Sequence, residues 1–392
     1  MGVKEVKLKE LLLVFRNGAS IKQFEGAEGL PITRIETISD ATINPLKVGY
    51  ANIFDDKYQD YYLQEGDILL SHINSVTHLG KCAIYTNPID KLIHGMNLLM
   101  LRANRDLILP KYLYYVLNSK QFKVQLPKIT KKSVNQASMT VTDIGNLKLL
   151  IEEDLEQQQK IVEILDKADE IRAKKKLAND KLDEFLKSTF ISMFGNKDYE
   201  KRCLEEISMR KGEYGSGASA GEYDISLPRY VRITDINDNG KLTSTPVSPK
   251  NEPNIDKYTL TTGDILFARS GATVGKTYLY NERDGWCIYA GYCIRFKLNQ
   301  DIVNPNYIFI YTQMNEYKAW VKSKQKVVAQ PNINAQQYGQ ELLIPIPPIE
   351  EQNKFAKIVE KVEAQKQKNE LVIEQMNNLF NSLSQRAFKG EL

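Results

Sequence analysis

The chain is poor in the residues that build metal and disulfide sites. Its four cysteines, Cys82, Cys203, Cys287 and Cys293, show no Cys-x-x-Cys spacing, and there are only three histidines, His72, His78 and His94. This argues against structural zinc and predicts free, reduced thiols. No apolar run approaches the ~18 residues of a membrane span, and the longest, such as Leu11 to Phe15, are strand- or helix-sized. Lys4 and Glu5 charge the first residues, unlike a signal peptide. Met1-Gly2 opens like a myristoylation signal, but Val6 stands where Ser or Thr is needed. The expected location is the cytoplasm, with no membrane contact. The net charge of +4 is too mild to argue for nucleic acid by itself, so that case rests on where the charge sits.

What is present is a repeat. Leu30-Pro31-Ile32-Thr33-Arg34-Ile35 returns as Leu227-Pro228-Arg229-Tyr230-Val231-Arg232-Ile233. Gly66-Asp67-Ile68-Leu69 returns as Gly263-Asp264-Ile265-Leu266, and Leu109-Pro110-Lys111-Tyr112 matches Asn304-Pro305-Asn306-Tyr307. Leu155-Glu156-Gln157-Gln158 matches Ile349-Glu350-Glu351-Gln352, and the offset stays between 194 and 198 throughout. Each copy begins with about 145 residues rich in β-branched and aromatic residues, broken by turn signals such as Asp238-Asn239-Gly240. Short helices are expected near 111–118 and 306–315. This predicts an α+β fold with two mixed α/β domains.

Each copy ends in a long helix, near 155–193 and 349–387. Ile161, Ile164, Ala168, Ile171, Ala178, Leu182 and Phe185 follow 3-4 spacing, as do Phe355, Ile358, Val362, Val372, Met376, Leu379 and Leu383. Gln365 answers Ile171, Leu383 answers Thr189, and a polar break recurs with Asn369 answering Lys175. Such spacing over about four heptads predicts a coiled coil. About 39 residues per helix would make a rod near 58 Å long, more than one small domain covers. Paired antiparallel, the helices would set a domain at each end, related by a pseudo-twofold axis. One chain would then imitate a dimer that reads two half-sites.

Charge and loops fit that picture. No acidic residue lies between Asp106 and Asp143, where Lys111, Lys120, Lys123, Lys128, Lys131 and Lys132 accumulate. None lies between Glu316 and Glu341, where Lys318, Lys322, Lys324 and Lys326 stand. Amide-rich turns follow, Asn135-Gln136 in one copy and Gln330-Pro331-Asn332 in the other. Lysines supply phosphate contacts, and Asn or Gln can read adenine edges. The candidate DNA-binding set is Arg34, His72, Asn74, Ser75, Lys128, Lys131, Lys132, Asn135 and Gln136 in the first copy. In the second it is Arg232, Arg269, Ser270, Lys276, Lys322, Lys324, Lys326, Gln330 and Asn332.

On these residues the chain resembles the specificity subunit of type I restriction–modification systems over essentially its full length. The resemblance is carried by the two Gly-Asp-Ile-Leu strands, by 329–334, and by Pro345-Ile346-Pro347-Pro348-Ile349-Glu350-Glu351-Gln352 leading into the second helix. The ending Ser384-Gln385-Arg386-Ala387-Phe388-Lys389-Gly390-Glu391-Leu392 carries it too. It implies target-recognition domains at 1–150 and 197–346, with spacer helices at 151–196 and 347–392. It implies a bipartite double-stranded DNA site with an unread gap. Two methyltransferase subunits would carry the S-adenosylmethionine chemistry, and restriction–translocase subunits would join for cleavage. The first copy departs from the pattern: 130–136 is a loose match, and 149–153 lacks the prolines of the second copy.

No catalytic residue, cofactor or metal is expected in the chain itself. Gly271-Ala272-Thr273-Val274-Gly275-Lys276-Thr277 is one residue short of a P-loop between its glycines, and Tyr278-Leu279-Tyr280 reads as a strand where a helix is required. That turn either presents Arg269 and Lys276 to DNA or is a plain hairpin. The Pro347-Pro348 pair lacks the flanking residues of a methyltransferase motif, and with no Asp/Glu-x-Lys trio after a suitable strand, pairs such as Asp55-Asp56 read as solvated surface. His72 and His78 read as surface, packing or DNA contacts. Most tyrosines read as core, with base stacking the alternative. Two other functions remain open: a coiled-coil scaffold with protein-binding end domains, and a self-contained nuclease with degenerate motifs.

Overall fold

The structure is a computed structural model that describes residues 2–38, 42–75, 78–133, 136–195, 197–243, 245–325 and 331–387. Its contacts divide the chain into two units, Met1–Lys176 with Glu370–Leu392, and Leu177–Asn369.

In the first unit the Gly-Asp-Ile-Leu motif sits at the centre of a four-stranded sheet. Gly66 takes φ +95°, a conformation glycine adopts freely. Asp67 then accepts the Gln64 backbone N–H at 2.8 Å and a forked pair from Arg102 at 2.8 and 2.7 Å. The strand that follows, Ile68–Ser71, is buried at every position, as a strand covered on both faces must be. It pairs antiparallel with Cys82–Ile84 and with Leu98–Ala103, and Leu12–Asn17 completes the sheet. Ile68 and Leu70 face a core built with Tyr112, Tyr115, Leu149, Ile161 and Leu165, while Leu69 faces Ile38, Tyr85 and Met100.

The second unit repeats the order with its own side chains. Gly263 takes φ +90°, and Asp264–Ala268 runs between Thr277–Leu279 and Cys293–Lys297, with Glu213–Tyr214 outermost. Asp264 accepts the Thr261 N–H at 2.8 Å, but its nearest cation, Arg295, is 3.8 Å away and one carboxylate oxygen has no partner. Burial therefore pushes its carboxyl up. The Asp238-Asn239-Gly240 turn forms as expected, closed by the Gly240 N–H on the Asn237 carbonyl at 3.1 Å and the Asn237 N–H on that of Lys241 at 3.0 Å, with a bridge between Ile236 and Leu242. The helix expected near 306–315 is two helices, Pro305–Tyr311 and Asn315–Lys324. They part where Thr312 turns its hydroxyl to Thr277, 2.7 Å away.

The matched helix starts have a shared cause. Gln158 and Gln352 are fully buried. Gln158 accepts the Leu109 N–H at 2.8 Å and donates to the Glu152 and Leu107 carbonyls. Gln352 does the same with Asn304, Pro347 and Ile302. Each glutamine ties the start of a long helix to the turn before a short one, so a buried backbone donor finds its acceptor.

The long helices run Leu155–Phe194 and Ile349–Ala387. In the second unit their contacts descend along one and ascend along the other. Phe190 and Phe194 pack on Phe355, Asp183 pairs with Lys366 at 2.7 Å, and Asn179 accepts from Asn369 at 2.7 Å. In the first unit the Arg172 guanidinium lies over the Phe380 ring and donates to Asn377. The expected hydrophobic register holds at Ile161, Ala168, Phe355 and Val362, is half-buried against the cores at Leu182, Ile358 and Leu383, and slips at other positions. Ile164, Ile171, Phe185 and Leu379 are exposed, while Leu165, Leu186, Val359 and Phe380 are buried. The cause is packing on each unit's own core, which asks for a wider stripe than a two-helix seam.

Candidate nucleic-acid interface

The chain leaving each buried central strand meets the segment that precedes the last strand of its unit. In the first unit, Ile73–Asn74 pairs antiparallel with Ala137–Ser138, which pairs with Lys131–Lys132. This three-stranded ribbon brings Asn74, Lys131 and Lys132 together, with Gln136 closing the turn through its carbonyl to the Ser133 N–H at 2.8 Å. Ser75 follows, its N–H bonded to Asn74 Oδ1. Lys128, Lys131 and Lys132 are exposed, so the basic side of the ribbon is open to an anion. Asn135 lies outside the described residues.

Two first-copy candidates are placed differently. His72 is only 4% exposed, and burial holds its imidazole down to about 4. It is neutral at neutral pH and offers no charge to a phosphate. Arg34 is away from the ribbon's strands, with its Nε on Gln23 at 2.7 Å and an Nη 3.3 Å from Glu36.

In the second unit the same meeting is a single bridge between Ser270 and Asn332. The Gly271 N–H donates to the Pro331 carbonyl at 3.0 Å, and the Ile333 N–H to that of Arg269 at 2.8 Å. The Arg269 guanidinium lies between two rings, 4.9 Å from the centre of Tyr214 and 5.7 Å from that of Tyr292. Beside this lies an open cleft of about 450 Å³ lined by Asp238, Gly275, Lys276, Lys318, Lys322 and Gln325. Lys276 is 2.8 Å from Asp238, Lys324 is paired with Glu341, and Arg232 is forked onto Asp235. Lys322 is exposed and has no such partner among the described residues. Lys326 and Gln330 lie outside the described residues.

Sequence reasoning missed Tyr214, Tyr292 and the place of Lys318 in the cleft. It also had no signal for the acidic partners that occupy Arg232, Lys276 and Lys324. Among the described residues, no group of three or more His, Cys, Asp or Glu is arranged to hold a metal ion. Burial pushes the thiols of Cys82 and Cys287 up to about 12, so they are protonated and unreactive at neutral pH. Among the described residues no helix is long and apolar enough to cross a membrane.

The sequence model of the type I restriction modification DNA specificity domain matches this chain twice, over residues 1–181 and 196–375. The chain belongs to that family. The resemblance read from the Gly-Asp-Ile-Leu strands and the helix starts is thus borne out. Over 209 residues it is 41% identical to the putative type I restriction enzyme MjaX specificity subunit of Methanocaldococcus jannaschii, covering 51% of this chain and 48% of that one. Over 220 residues it is 21% identical to the EcoKI specificity subunit of Escherichia coli, covering 55% and 47%. The chain thus spans about half the length of these curated relatives. Among solved structures, it is similar to the S subunit of a type I restriction-modification system from M. genitalium. That likeness has a TM-score of 0.53 at 14% identity and covers 99% of this chain and 96% of that one. A chain from a structure of type I R-M complex assembly and conformational transition gives a TM-score of 0.51 at 17% identity, covering 100% and 98%. At such identities the likeness speaks for the fold: two specificity domains of mixed α/β content.

Proposed function

We propose that this chain reads a bipartite double-stranded DNA site and positions the other subunits of a type I restriction–modification complex, doing no catalysis itself. The observation that carries this reading is a recurring juxtaposition, a ribbon in the first unit and a single bridge in the second. In each unit the loop after the buried strand is brought beside a polar segment, with exposed lysines in the first unit and the lysine-lined cleft in the second. The recognition domains are 1–150 and 197–346, and the spacer helices are 151–196 and 347–392. Those helices form an antiparallel coiled coil, and a pseudo-twofold relation between the copies lets each reach one half-site. Phosphate contacts come from Lys128, Lys131, Lys132 and Lys322. Base contacts come from Asn74, Ser75, Gln136, Ser270 and Asn332. Two methyltransferase subunits supply the chemistry, restriction–translocase subunits join for cleavage, and the assembly works in the cytoplasm. The scaffold and nuclease readings are not favoured, since neither calls for two specificity domains.

The test is to express the chain with its methyltransferase partner and map methylated bases genome-wide. A split motif that vanishes when this chain is deleted supports the reading. An unchanged methylation pattern after deletion sinks it.

A further inference from the structure

We propose that Arg269 reads a guanine in the half-site of the second unit; this rests on the DNA-reading function above. Arg269 directly follows the buried strand Asp264–Ala268, and its backbone is pinned on both sides. Its N–H donates to the Tyr292 carbonyl at 3.0 Å, and its carbonyl accepts from Ile333 at 2.8 Å. The guanidinium is held between the rings of Tyr214 and Tyr292, which are themselves 44% and 60% exposed. Tyr214 is fixed in turn, its hydroxyl accepting the Ala335 N–H at 3.2 Å.

What sets Arg269 apart is an unmet need. Its Nε is buried without a hydrogen-bond partner, and no carboxylate pairs with it among the described residues. Arg232, Arg295 and Lys276 all have acidic partners, Asp235, Glu213 and Asp238. The buried Nε is out of a ligand's reach, but the Nη atoms are not buried and make no hydrogen bond among the described residues, so they can meet acceptors that a ligand brings. The rigid guanidinium fork matches the O6 and N7 acceptors that guanine presents in the major groove. Cation–π contact with both rings orders the side chain before DNA arrives, which lowers the entropy lost on binding. Exposed Asn332 and Asn334 lie on the segment alongside, so the immediate neighbours offer amides to adjacent bases.

The first unit lacks this device. The residue after its buried strand is His72, and strand register puts Asn17 where the second unit has Tyr214. Asn17 stands opposite Leu99, the partner of Leu70, as Tyr214 stands opposite Ile294, the partner of Phe267. The effect of changing Arg269 is therefore confined to one half-site.

The test is to co-express Arg269→Ala and Arg269→Lys forms of the full chain with its methyltransferase partner and map methylated bases. In both, the first half-site stays intact and the second relaxes at one position that the unaltered chain reads as a G·C pair. The preference there falls about 5- to 140-fold, equivalent to about 1–3 kcal/mol at ~1.4 kcal/mol per tenfold. An unchanged motif in Arg269→Lys overturns the proposal, even if Arg269→Ala fails to fold. An even loss of methylation with no position relaxed marks a phosphate contact and also overturns it. So does a second half-site without a G·C pair. If the unaltered chain directs no split motif at all, the DNA-reading function itself falls, a different failure.

Discussion

Replacing Lys131 and Lys132 with alanine offers the most direct measure of the first unit's ribbon. Both lysines are exposed on a short strand beside Ala137–Ser138, and neither has an acidic partner among the described residues. Exposed substitutions of this kind cost no more than about 0.5 kcal/mol of stability, so the fold survives. Each phosphate neutralised by a cation contributes about −0.9 to the slope of log affinity against log salt. Losing both contacts therefore flattens the slope by about 1.8. Between 50 and 200 mM salt, a fourfold range, the unaltered chain loses about 12-fold more affinity than the variant. Fluorescence anisotropy of a labelled duplex with the assembled methyltransferase complex, titrated across salt, reads this directly. The sequence preference stays the same, because phosphate contacts position without specifying. Lys324→Ala is the internal control: Glu341 already holds that ammonium, so its slope stays close to the original. Parallel lines for the double variant and the unaltered chain would refute the assignment of these lysines to phosphate.

Three further outcomes follow from the structure. Gln352→Leu strips the Asn304 N–H and two carbonyls of their buried partner, costing about 2–5 kcal/mol. A urea midpoint unmoved by that change would mean the glutamine tether is not holding the helix start. His94 is fully buried, and burial holds its imidazole down to about 4 from an ordinary 6.5. The unfolded chain takes up that proton below about pH 6.5 while the folded chain resists, so stability is complete above that pH and lost as pH falls towards 4; the loss at pH 5 is about 2 kcal/mol. Denaturant melts of the unaltered chain and His94→Gln at pH 7 and 5 should differ by that amount, and identical pH slopes would count against it. Finally, inserting one heptad into both long helices, near Lys175 and Asn369, lengthens each by about 10.5 Å. If the paired helices set the gap, the methylated motif gains about three unread base pairs at ~3.4 Å each. An unchanged gap would remove the helices from that role.

The parts of the fold legible in the sequence are those whose residues answer to local physics. Gly66 and Gly263 announce a positive φ, and the aspartate after each accepts a backbone N–H across the same turn. The long helices were legible from spacing, yet the spacing overstated how narrow their buried stripe is. Leu165 and Val359 are buried because each helix also roofs a core made by distant strands, which no heptad count contains. The candidate site was legible only as a region. Lysine windows and amide turns pointed to segments that the fold brings beside the central strands, but Lys276 and Arg232 turned out to be held by Asp238 and Asp235. Tyr214 and Tyr292 reach Arg269 only through sheet pairing, so nothing near them in the chain could have flagged them.

Where the two copies agree and where they differ bears on what they bind. The residues that repeat are structural: Gly66 with Gly263, Asp67 with Asp264, Gln158 with Gln352. Both aspartates and both glutamines are buried, and both glycines carry turns. Among the residues that diverge are those where the chain leaves the central strand. A neutral, buried His72 stands in one copy and a ring-clamped Arg269 in the other, and an exposed Lys131–Lys132 strand faces Ala137–Ser138 in one copy where a single Ser270–Asn332 bridge serves the other. A duplicated protein whose two halves served one symmetric target would hold those surfaces alike, because each would face the same groups. Here the frame is kept, and the surface proposed to meet DNA is not. Exchanging the frames' surfaces tests that logic: a chain carrying residues 1–150 twice in place of its second domain should direct methylation at a palindromic motif built from the first half-site alone. Retention of the original, asymmetric motif would mean that recognition lies outside these surfaces.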